Sequence, residues 1–421
     1  MPLTIALRDS ILQSLRTGIA PKIGLEFIHV GRVNEIAAFD TDIRRVSNNG
    51  AGVRFIIGEY GSGKTFFLNL VRSIALNNDL VTLNADLNPD RRLYGSAGEA
   101  QSLYSELIKS ISTKNKPGGG AIQDIIEAFL RNCSNDAGLS EIMDKLDILR
   151  GMIGGEDFAK IILCYQDGKA CKKEEWKADA LKWLRGEYKS RRDAKKDLKI
   201  NSISIINDEN YYDHLKLMSE FVRLAGFGGM LICIDEMVNI FRIGNEQARN
   251  QNYEQIHRIL NDLQGGLGGL CFVMSGTPEF HTDCRRGMFS YAQLRTRLPE
   301  NMFAVHGLKD YMGPILFLDN LTKEDLLGLL KKIRDVYCFE SKYLLKDDAL
   351  NAFMAHCSKK IGDAYFRTPR ETITAFVGLL DILFQNPGHK WEDILRNIPI
   401  KPDISPDLIG DGDNSLASFK L

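Results

Sequence analysis

The residues with the clearest chemical signature form a glycine-rich stretch from Gly58 to Thr65, with the order Gly-Glu-Tyr-Gly-Ser-Gly-Lys-Thr. It follows the apolar, β-favouring run 53–57 and precedes a helical pattern that starts at Phe66. This order of strand, glycine loop and helix is the context in which GxxxxGK[ST] binds a nucleoside triphosphate. Glycines let successive backbone N–H groups point at phosphate oxygens, and the helix N-terminus adds a partial positive charge. A chance glycine turn before a helix is the alternative.

Two side chains of this loop have distinct expected roles. The Lys64 ammonium should reach the β- and γ-phosphates, and the Thr65 hydroxyl should hold Mg²⁺. The residues expected to contact the nucleotide in this stretch are Gly58, Glu59, Tyr60, Gly61, Ser62, Gly63, Lys64, Thr65 and Phe66.

A second signature is the carboxylate pair Asp235 and Glu236, directly after the apolar run 230–234. A continuous apolar run is typical of a parallel strand buried on both faces, and ligands bind at the carboxyl ends of such strands. Asp235 is expected to hold the Mg²⁺ shell, and Glu236 to polarise the attacking water as general base. Such a pair also follows apolar strands by chance, but the upstream glycine loop favours the functional interpretation.

Composition sets the broad class. The 421 residues are enough for two or three domains, and 44% hydrophobic with 26% charged residues is ordinary for a globular protein. A net charge of −1 provides no global field for nucleic acid or membrane, so any such surface must be local. Eight scattered cysteines without ligand spacing fit a reducing cytoplasm. No signal peptide is evident and no run approaches a membrane-spanning length, so a cytoplasmic location is expected.

The periodicity divides the chain into four parts. We expect a helical N-terminal segment over residues 1–50, a nucleotide-binding core over 51–320, a helical domain over 321–395 and an extended tail over 396–421. The core contains a helical stretch at about residues 97–227, which is far longer than a normal connection between strands and predicts an insertion.

Within the predicted insertion, residues 181–199 are locally basic, with eight Lys or Arg against three Asp or Glu. Trp183 and Tyr188 are interleaved with these charges. Such a segment could contact nucleic-acid phosphates. It could also be a solvated helix face with intrahelical charge pairs, which is the commoner outcome for charge runs.

The order of these motifs resembles the AAA+ superfamily, in particular its initiator-like branch with a C-terminal helical lid. The resemblance implies an α/β fold, a P-loop NTPase with a five-stranded parallel sheet in the order 5-1-4-3-2. It also implies that Val30, Gly31 and Arg32 line the adenine pocket, because the segment 30–35, Val-Gly-Arg-Val-Asn-Glu, is similar to one that precedes the first strand in this superfamily. A plain loop leading into a helix is the alternative there.

The same resemblance assigns two sensors. The apolar run 269–274 leads into Ser275 and Thr277, either of which could help to hold the attacking water as sensor 1; a strand capped by a Gly-Pro turn is the alternative. Arg370 matches sensor 2, which closes the helical lid onto the nucleotide. It is favoured over Arg367 because it lies just inside a helix after Pro369. An arginine on the exposed first turn of a helix is the alternative.

An arginine after the sensor strand is where AAA+ subunits present a finger to a neighbour's γ-phosphate. Arg295 and Arg297 are the first candidates, and Arg285 and Arg286 are the second choices. Arginine suits this role because it stays charged and forks onto phosphate oxygens. Surface arginines in ordinary salt bridges are the alternative.

Within this superfamily the chain resembles bacterial ATP-binding proteins of the BREX type, found in phage-defence islands. The segments that carry the likeness are 24–32, 60–68, 86–93 and 368–371, and it extends over residues 10 to about 385. It implies an ATPase component of a multi-gene antiphage system that acts on or near DNA. The chain departs from many AAA+ proteins in having Ser or Thr where they carry a sensor Asn.

The sequence therefore predicts an ATP-hydrolysing, Mg²⁺-dependent homo-oligomer that couples its nucleotide state to double-stranded DNA or to other defence-system proteins. No membrane partner is predicted. ATP is preferred over GTP by resemblance and because a guanine-specific NKxD motif is lacking. The alternatives are a non-hydrolysing ATP-dependent switch or scaffold and an initiator- or transposition-type DNA-loading ATPase. A kinase-like phosphotransferase is disfavoured because no acceptor-binding segment is recognisable.

Overall fold

The computed structural model describes residues 2–133, 138–304, 308–339, 344–361 and 369–396. Contacts divide the chain into two compact units, each of which is built from segments distant in sequence. The smaller unit comprises Met1–Gly31, Gly58–Phe66 and Leu318–Leu421; the larger unit comprises Arg32–Ile57 and Phe67–Phe317. The predicted domain boundaries stay a prediction.

The larger unit contains a five-stranded sheet. Its strands are β1 (Ala51–Ile57), β2 (Val81–Asp86), β3 (Met230–Asp235), β4 (Leu270–Gly276) and β5 (Ile315–Phe317). All neighbouring pairs are parallel, and their spatial order is β2-β3-β4-β1-β5. The predicted order 5-1-4-3-2 is thus confirmed. Every residue of β3 and β4 is buried, as expected for central strands of a parallel sheet covered on both faces.

Helices and the loops between them connect these strands and make up most of the remaining described structure. In chain order they are α1 (Ile5–Arg16), α2 (Val33–Ser47), α3 (Lys64–Asn77), α4 (Glu99–Ser110), α5 (Ile122–Asn132), α6 (Gly138–Arg150), α7 (Gly155–Ala170), α8 (Glu174–Leu184), α9 (Arg191–Leu198), α10 (Tyr211–Leu224), α11 (Val238–Phe241), α12 (Glu246–Gln264), α13 (Pro278–Thr282), α14 (Ala292–Arg297), α15 (Lys323–Tyr337), α16 (Asp347–Ile361), α17 (Pro369–Gln385) and α18 (Trp391–Arg396). Among the described helices, none is both long enough and apolar enough to cross a membrane.

The predicted helical insertion is present as helices α4 to α10, which lie between β2 and β3 in the chain. Its helices share the larger unit's core, with Tyr104 and Trp183 among the largest fully buried side chains. The Tyr104 hydroxyl donates to the Leu184 carbonyl at 2.9 Å, which ties α4 to α8. The insertion does not disturb the sheet, because β2 and β3 still pair over six residues.

A buried ion pair joins α2 to the strand that leads into the glycine loop. Arg54 Nε on β1 lies 2.5 Å from Asp42 Oδ2 on α2, and both side chains are almost fully buried. The Arg54 guanidinium also donates to the carbonyl oxygens of Tyr311 and Gly313, just before β5. One side chain therefore connects α2, β1 and the segment before β5.

The described part of the smaller unit has its own apolar core, formed by α1 and the C-terminal helices. Thr322 and Asp325 form a capping box at the start of α15, with each side chain bonded to the other's backbone N–H. Arg16 on α1 pairs with Asp381 on α17 at 2.7 Å, and the Tyr337 hydroxyl donates to the same carboxylate. Arg367 and residues 397–421 of the predicted tail lie outside the described residues, whereas Arg396 is the last residue of α18.

Candidate nucleotide site

The glycine loop has a backbone that only glycine adopts easily. Gly61 and Gly63 have φ of +83° and +85°, in the left-handed region that other residues rarely enter. Gly58 is required for a different reason, since a Cβ there would lie 2.5 Å from the Ser62 hydroxyl oxygen and 2.7 Å from the Leu318 carbonyl oxygen. Both contacts are shorter than van der Waals distance, so the loop closes only without a side chain at Gly58.

Lys64 is the first residue of α3 and folds back onto the loop. Its ammonium donates to the carbonyl oxygens of Gly58 and Glu59, each at 2.8 Å. These bonds hold the positive charge at the loop itself, where the N-terminus of the 14-residue helix α3 adds its partial positive charge. Thr65 is exposed in the same helical turn.

The other predicted contact residues of the loop are placed at different depths. Glu59 and Tyr60 are exposed, Ser62 is buried, and Phe66 packs against the core of the smaller unit. A left-handed glycine backbone, a lysine held on the loop and a helix N-terminus together fit a polyphosphate. The residues present are therefore consistent with the predicted nucleotide.

In the larger unit, Asp235 ends β3 with its carboxylate held by two donors. The Ser275 hydroxyl on β4 donates to Asp235 Oδ1, and the Glu236 backbone N–H donates to the same oxygen at 2.9 Å. The Met237 N–H in turn donates to the Ser275 carbonyl at 3.0 Å. The acidic end of β3 is thus tied to β4 by a side chain and by backbone, which fixes the direction of the carboxylate.

Glu236 has the backbone conformation least expected of its residue type. Its φ is +59°, in the left-handed region, and its side chain is exposed although both chain neighbours are buried. Such a conformation costs about 1 to 3 kcal/mol and persists where surrounding contacts enforce it. Asn239 supplies one such contact, since its Nδ2 donates to the Leu87 carbonyl at 2.9 Å and to the Glu236 carbonyl at 3.2 Å.

The ends of three strands meet at one edge of the sheet. Ile57 at the end of β1 lies opposite Gly276, and Ile234 lies opposite Met274. Because β4 separates β1 from β3, the ends of these two strands lie two strand spacings apart, about 10 Å. The glycine loop begins at the residue after β1.

Two residues at this edge were not anticipated as site residues. Asp86, the last residue of β2, lies directly opposite Asp235 in the strand register and is exposed. Asn239 holds the turn at Glu236. Asp86 has a signal in the sequence, a carboxylate at the end of a β-branched run, but its pairing with Asp235 depends on which strands are neighbours.

The two sensor 1 candidates have separate roles in the structure. Ser275 is fully buried and contacts Asp235, whereas Thr277 is the N-cap of α13 and accepts a bond from the Phe280 N–H at 3.4 Å. Pro278 at the first helical position completes that cap. The structure therefore brings Ser275, and not Thr277, into contact with the acidic pair.

The four finger candidates are exposed but differ in their contacts. Arg297 donates to the Gln264 side-chain oxygen at 2.8 Å, and Arg286 donates to the carbonyl oxygens of Phe241 and Ile243. Arg295 on α14 makes no side-chain hydrogen bond or ion pair to any part of the chain that the structure describes. Of the two main candidates, Arg295 has the guanidinium with fewer contacts to the described residues of its own chain.

The remaining candidates lie near the ends of helices. Arg370 is exposed in the first turn of α17, and its aliphatic stem lies against Gly18, where a Cβ would be 3.0 Å from Arg370 Cγ. Gly31 and Arg32 are two consecutive left-handed residues, with φ of +61° and +62°. Val30 packs against the core of the smaller unit. The roles of these residues at adenine and as sensor 2 stay predictions.

A glycine loop after the first strand of a parallel sheet in the order β2-β3-β4-β1-β5, with an acidic pair at the end of β3, defines a P-loop nucleotide-binding protein with the AAA+ sheet. Residues 5–398 match the family described as "BREX system ATP-binding protein BrxC/D". The chain belongs to this family, which confirms the predicted resemblance.

The comparison with solved structures gives one example of a similar chain. It is the Aeropyrum pernix ORC2 protein in ADPNP-ADP complexes, with 12% sequence identity and a TM-score of 0.45. The alignment covers 87% of this chain and 67% of that one. No curated protein matches the sequence.

Proposed function

We propose that this BREX ATP-binding protein hydrolyses ATP and couples its nucleotide state to oligomerisation and to DNA or partner proteins. The observation that carries the proposal is the turn at the end of β3. There Asp235 is fixed by Ser275, and Glu236 is exposed in a left-handed conformation that contacts on both sides maintain. A protein that only binds ATP has no need of an exposed, strained carboxylate at that position.

The glycine loop supports the binding step. Lys64 and the loop N–H groups would bind the phosphates, and the Thr65 hydroxyl would hold Mg²⁺. Oxygen ligands together with substrate phosphates are what this ion usually takes in proteins. Bound Mg²⁺ would neutralise charge on the phosphates.

Glu236 supports the hydrolytic step as general base. Its carboxylate would accept a proton from the attacking water, while the Ser275 hydroxyl keeps Asp235 in place. A positioned general base contributes a factor of about 10² to 10⁴ in rate. The prediction for Glu236→Gln is accordingly loss of turnover with ATP binding retained.

Arg295 supports an ATP-dependent assembly. Its guanidinium is exposed on α14 and uncommitted within the described residues of its own chain, so it is available to a γ-phosphate bound by another copy. Mass photometry of Arg295→Ala with a slowly hydrolysed ATP analogue tests this role. Arg44→Ala, an exposed arginine on α2, is the matched control, and loss of oligomers in both variants or in neither would contradict the role of Arg295.

The first experiment is steady-state ATP hydrolysis by the full chain, alone and with double-stranded DNA, beside Lys64→Ala and Glu236→Gln. Turnover that rises with DNA and disappears in both variants is the expected result. If the wild type binds ATP but stays at the background rate of the variants with and without DNA, the hydrolytic proposal fails. A non-hydrolysing switch or scaffold would then describe the isolated protein.

A further inference from the structure

The locally basic segment 181–199 separates into two groups of charges in the structure. In the first group, Lys182 Nζ lies 3.2 Å from Asp197 Oδ2, and Arg185 Nε lies 3.3 Å from Glu187 Oε2. Lys189 donates to the Gln101 side-chain oxygen at 3.2 Å. Two of the three carboxylates of the segment, Glu187 and Asp197, are therefore paired with cations outside α9.

The second group is a set of exposed cations on and just after α9. None of them forms an ion pair with any residue in the described part of the chain. We call this set the α9 basic face: Arg191, Arg192, Lys195, Lys196 and Lys199.

Helical geometry places the four cations within α9, all except Lys199, on one side of the helix. At 100° per residue these four span an arc of about 140°, whereas Asp193 and Asp197 fall outside it. Lys199 directly follows the helix in a left-handed conformation, with φ of +55°. Ala194 and Leu198, which are buried, lie on a third side and anchor the helix to the larger unit. The third carboxylate, Asp193, accepts a hydrogen bond from the Ser190 hydroxyl at 2.8 Å at the start of the helix. The basic face therefore presents positive charge without interspersed carboxylates.

The surroundings decide which anionic partner fits. Between residues 154 and 301, which include α9 and the helices on either side of it in the chain, no large hydrophobic side chain is exposed. This stretch therefore lacks the exposed apolar side chains with which a helix inserts into a lipid bilayer. The aromatic rings of the segment are also withdrawn, since Trp183 and Tyr188 are 1% and 2% exposed. Trp176 on α8 is covered by Lys173 and Lys199, at 4.1 and 5.3 Å from its ring centre. No ring is offered on which unpaired bases could stack, so the surface suits a phosphate backbone and not single-stranded bases.

We propose that the α9 basic face binds the phosphate backbone of double-stranded DNA without reading its sequence. The helix is about 12 Å long, which spans roughly three or four phosphates along one strand of a duplex. Each neutralised phosphate releases counterions, so the logarithm of the affinity should fall with the logarithm of salt concentration with a slope of about −2.7 to −3.6. Between 50 and 200 mM salt this slope corresponds to about 40- to 150-fold weaker binding.

The test is fluorescence anisotropy of the full chain without nucleotide on a labelled 30-base-pair duplex of arbitrary sequence, over a series of NaCl concentrations. The variant combines Arg192→Ala, Lys195→Ala and Lys196→Ala, which keeps the buried anchors and introduces the best helix former. Its salt slope should shift toward zero by about one unit per cation removed, and its affinity at 50 mM should fall at least about tenfold. Lys195→Arg with Lys196→Arg keeps the charge and should bind like the wild type.

A charge-matched control removes three exposed cations that lie elsewhere, by Lys22→Ala, Arg44→Ala and Lys390→Ala. The proposal is overturned if the wild type does not bind the duplex at 50 mM salt, if the α9 variant keeps the wild-type affinity and slope, or if the control loses as much. Tighter binding of a single strand of equal length would overturn the assignment to duplex DNA. Binding to phosphatidylserine vesicles that α9 substitution abolishes, with DNA binding unaffected, would assign the face to a membrane. Because no nucleotide is present, failure here leaves the ATPase proposal unaffected.

Discussion

Asp42→Ala should remove one partner of the buried ion pair that joins α2 to β1. Asp42 and Arg54 side chains are only 3% and 4% exposed, so the Arg54 guanidinium would keep its charge in a poorly solvated site. Breaking a buried pair in this way costs about 3 to 5 kcal/mol. We expect the lower end, about 3 kcal/mol of unfolding free energy, because Arg54 keeps its bonds to the carbonyl oxygens of Tyr311 and Gly313.

Urea unfolding followed by tryptophan fluorescence in a Trp391→Phe background measures this loss. The chain has three tryptophans, and with Trp391 replaced the remaining Trp176 and Trp183 both belong to the larger unit. The emission then reports the unit that contains the ion pair. The control is Asp147→Ala, since Asp147 is 57% exposed and pairs with Arg150 at 2.7 Å on the surface of α6. Exposed pairs contribute at most about 1 kcal/mol.

A loss below about 1 kcal/mol for Asp42→Ala, or a loss equal to that of the control, would refute the reasoning that burial makes this pair sensitive. Two further results follow from the same argument. The loss should change little with salt, because buried pairs are weakly screened. The double substitution Asp42→Leu with Arg54→Met should recover part of the stability, because no buried charge is then left uncompensated.

Three further predictions concern single positions. Burial lowers the pKa of His214 from 6.5 to about 4, so below pH 6.5 the unfolded chain binds a proton that the folded chain does not. In urea titrations from pH 7 to pH 5, the wild type should therefore lose about 2 kcal/mol more unfolding free energy than His214→Phe. Equal losses in the two proteins would contradict this prediction. Gly58→Ala should weaken binding of a fluorescent ATP analogue more than about tenfold, because the added methyl would overpack the loop. The control is Gly378→Ala, where a methyl meets nothing within 4 Å, and this variant should bind the analogue like the wild type. Ser275→Ala should lower the ATP turnover number about tenfold, because it removes the hydrogen bond to the Asp235 carboxylate. Thr277→Ala removes the cap of α13 and should cost about 1 kcal/mol of stability with turnover nearly unchanged. A larger loss of turnover in Thr277→Ala than in Ser275→Ala would assign sensor 1 to Thr277.

Local chemistry explains why parts of the site could be predicted from the sequence. The glycine loop and the acidic pair each occupy a few consecutive residues, and the residue types follow from the phosphate and metal chemistry they would serve. The capping box at Thr322 and Asp325 is equally local, because its two side chains are three residues apart at the start of one helix. The strand order, in contrast, came from the resemblance to a known superfamily.

Contacts between distant segments explain what the sequence did not decide. Ser275 and Thr277 are two residues apart and equally polar. In the structure, however, the Ser275 side chain on β4 contacts Asp235, whereas Thr277 is the N-cap of α13. Asp86 becomes a neighbour of Asp235 only through the β2–β3 register. The basic segment could not be interpreted from composition because the pairing of Lys182 depends on how α8 packs beside α9.

The helical insertion explains how the proposed DNA contact and the nucleotide site could coexist in one chain. The entropy cost of closing a loop grows only with the logarithm of its length, about 0.6 kcal/mol per doubling, so a long insertion between β2 and β3 is tolerated when its helices bury residues in the core of the larger unit. Those residues include Tyr104 and Trp183, and the six-residue pairing of β2 with β3 is intact beside them. Charges on α9 can therefore change without moving the strand ends that carry Asp235. It follows that the α9 triple substitution should abolish stimulation of ATP turnover by DNA while the turnover measured without DNA stays at the wild-type rate.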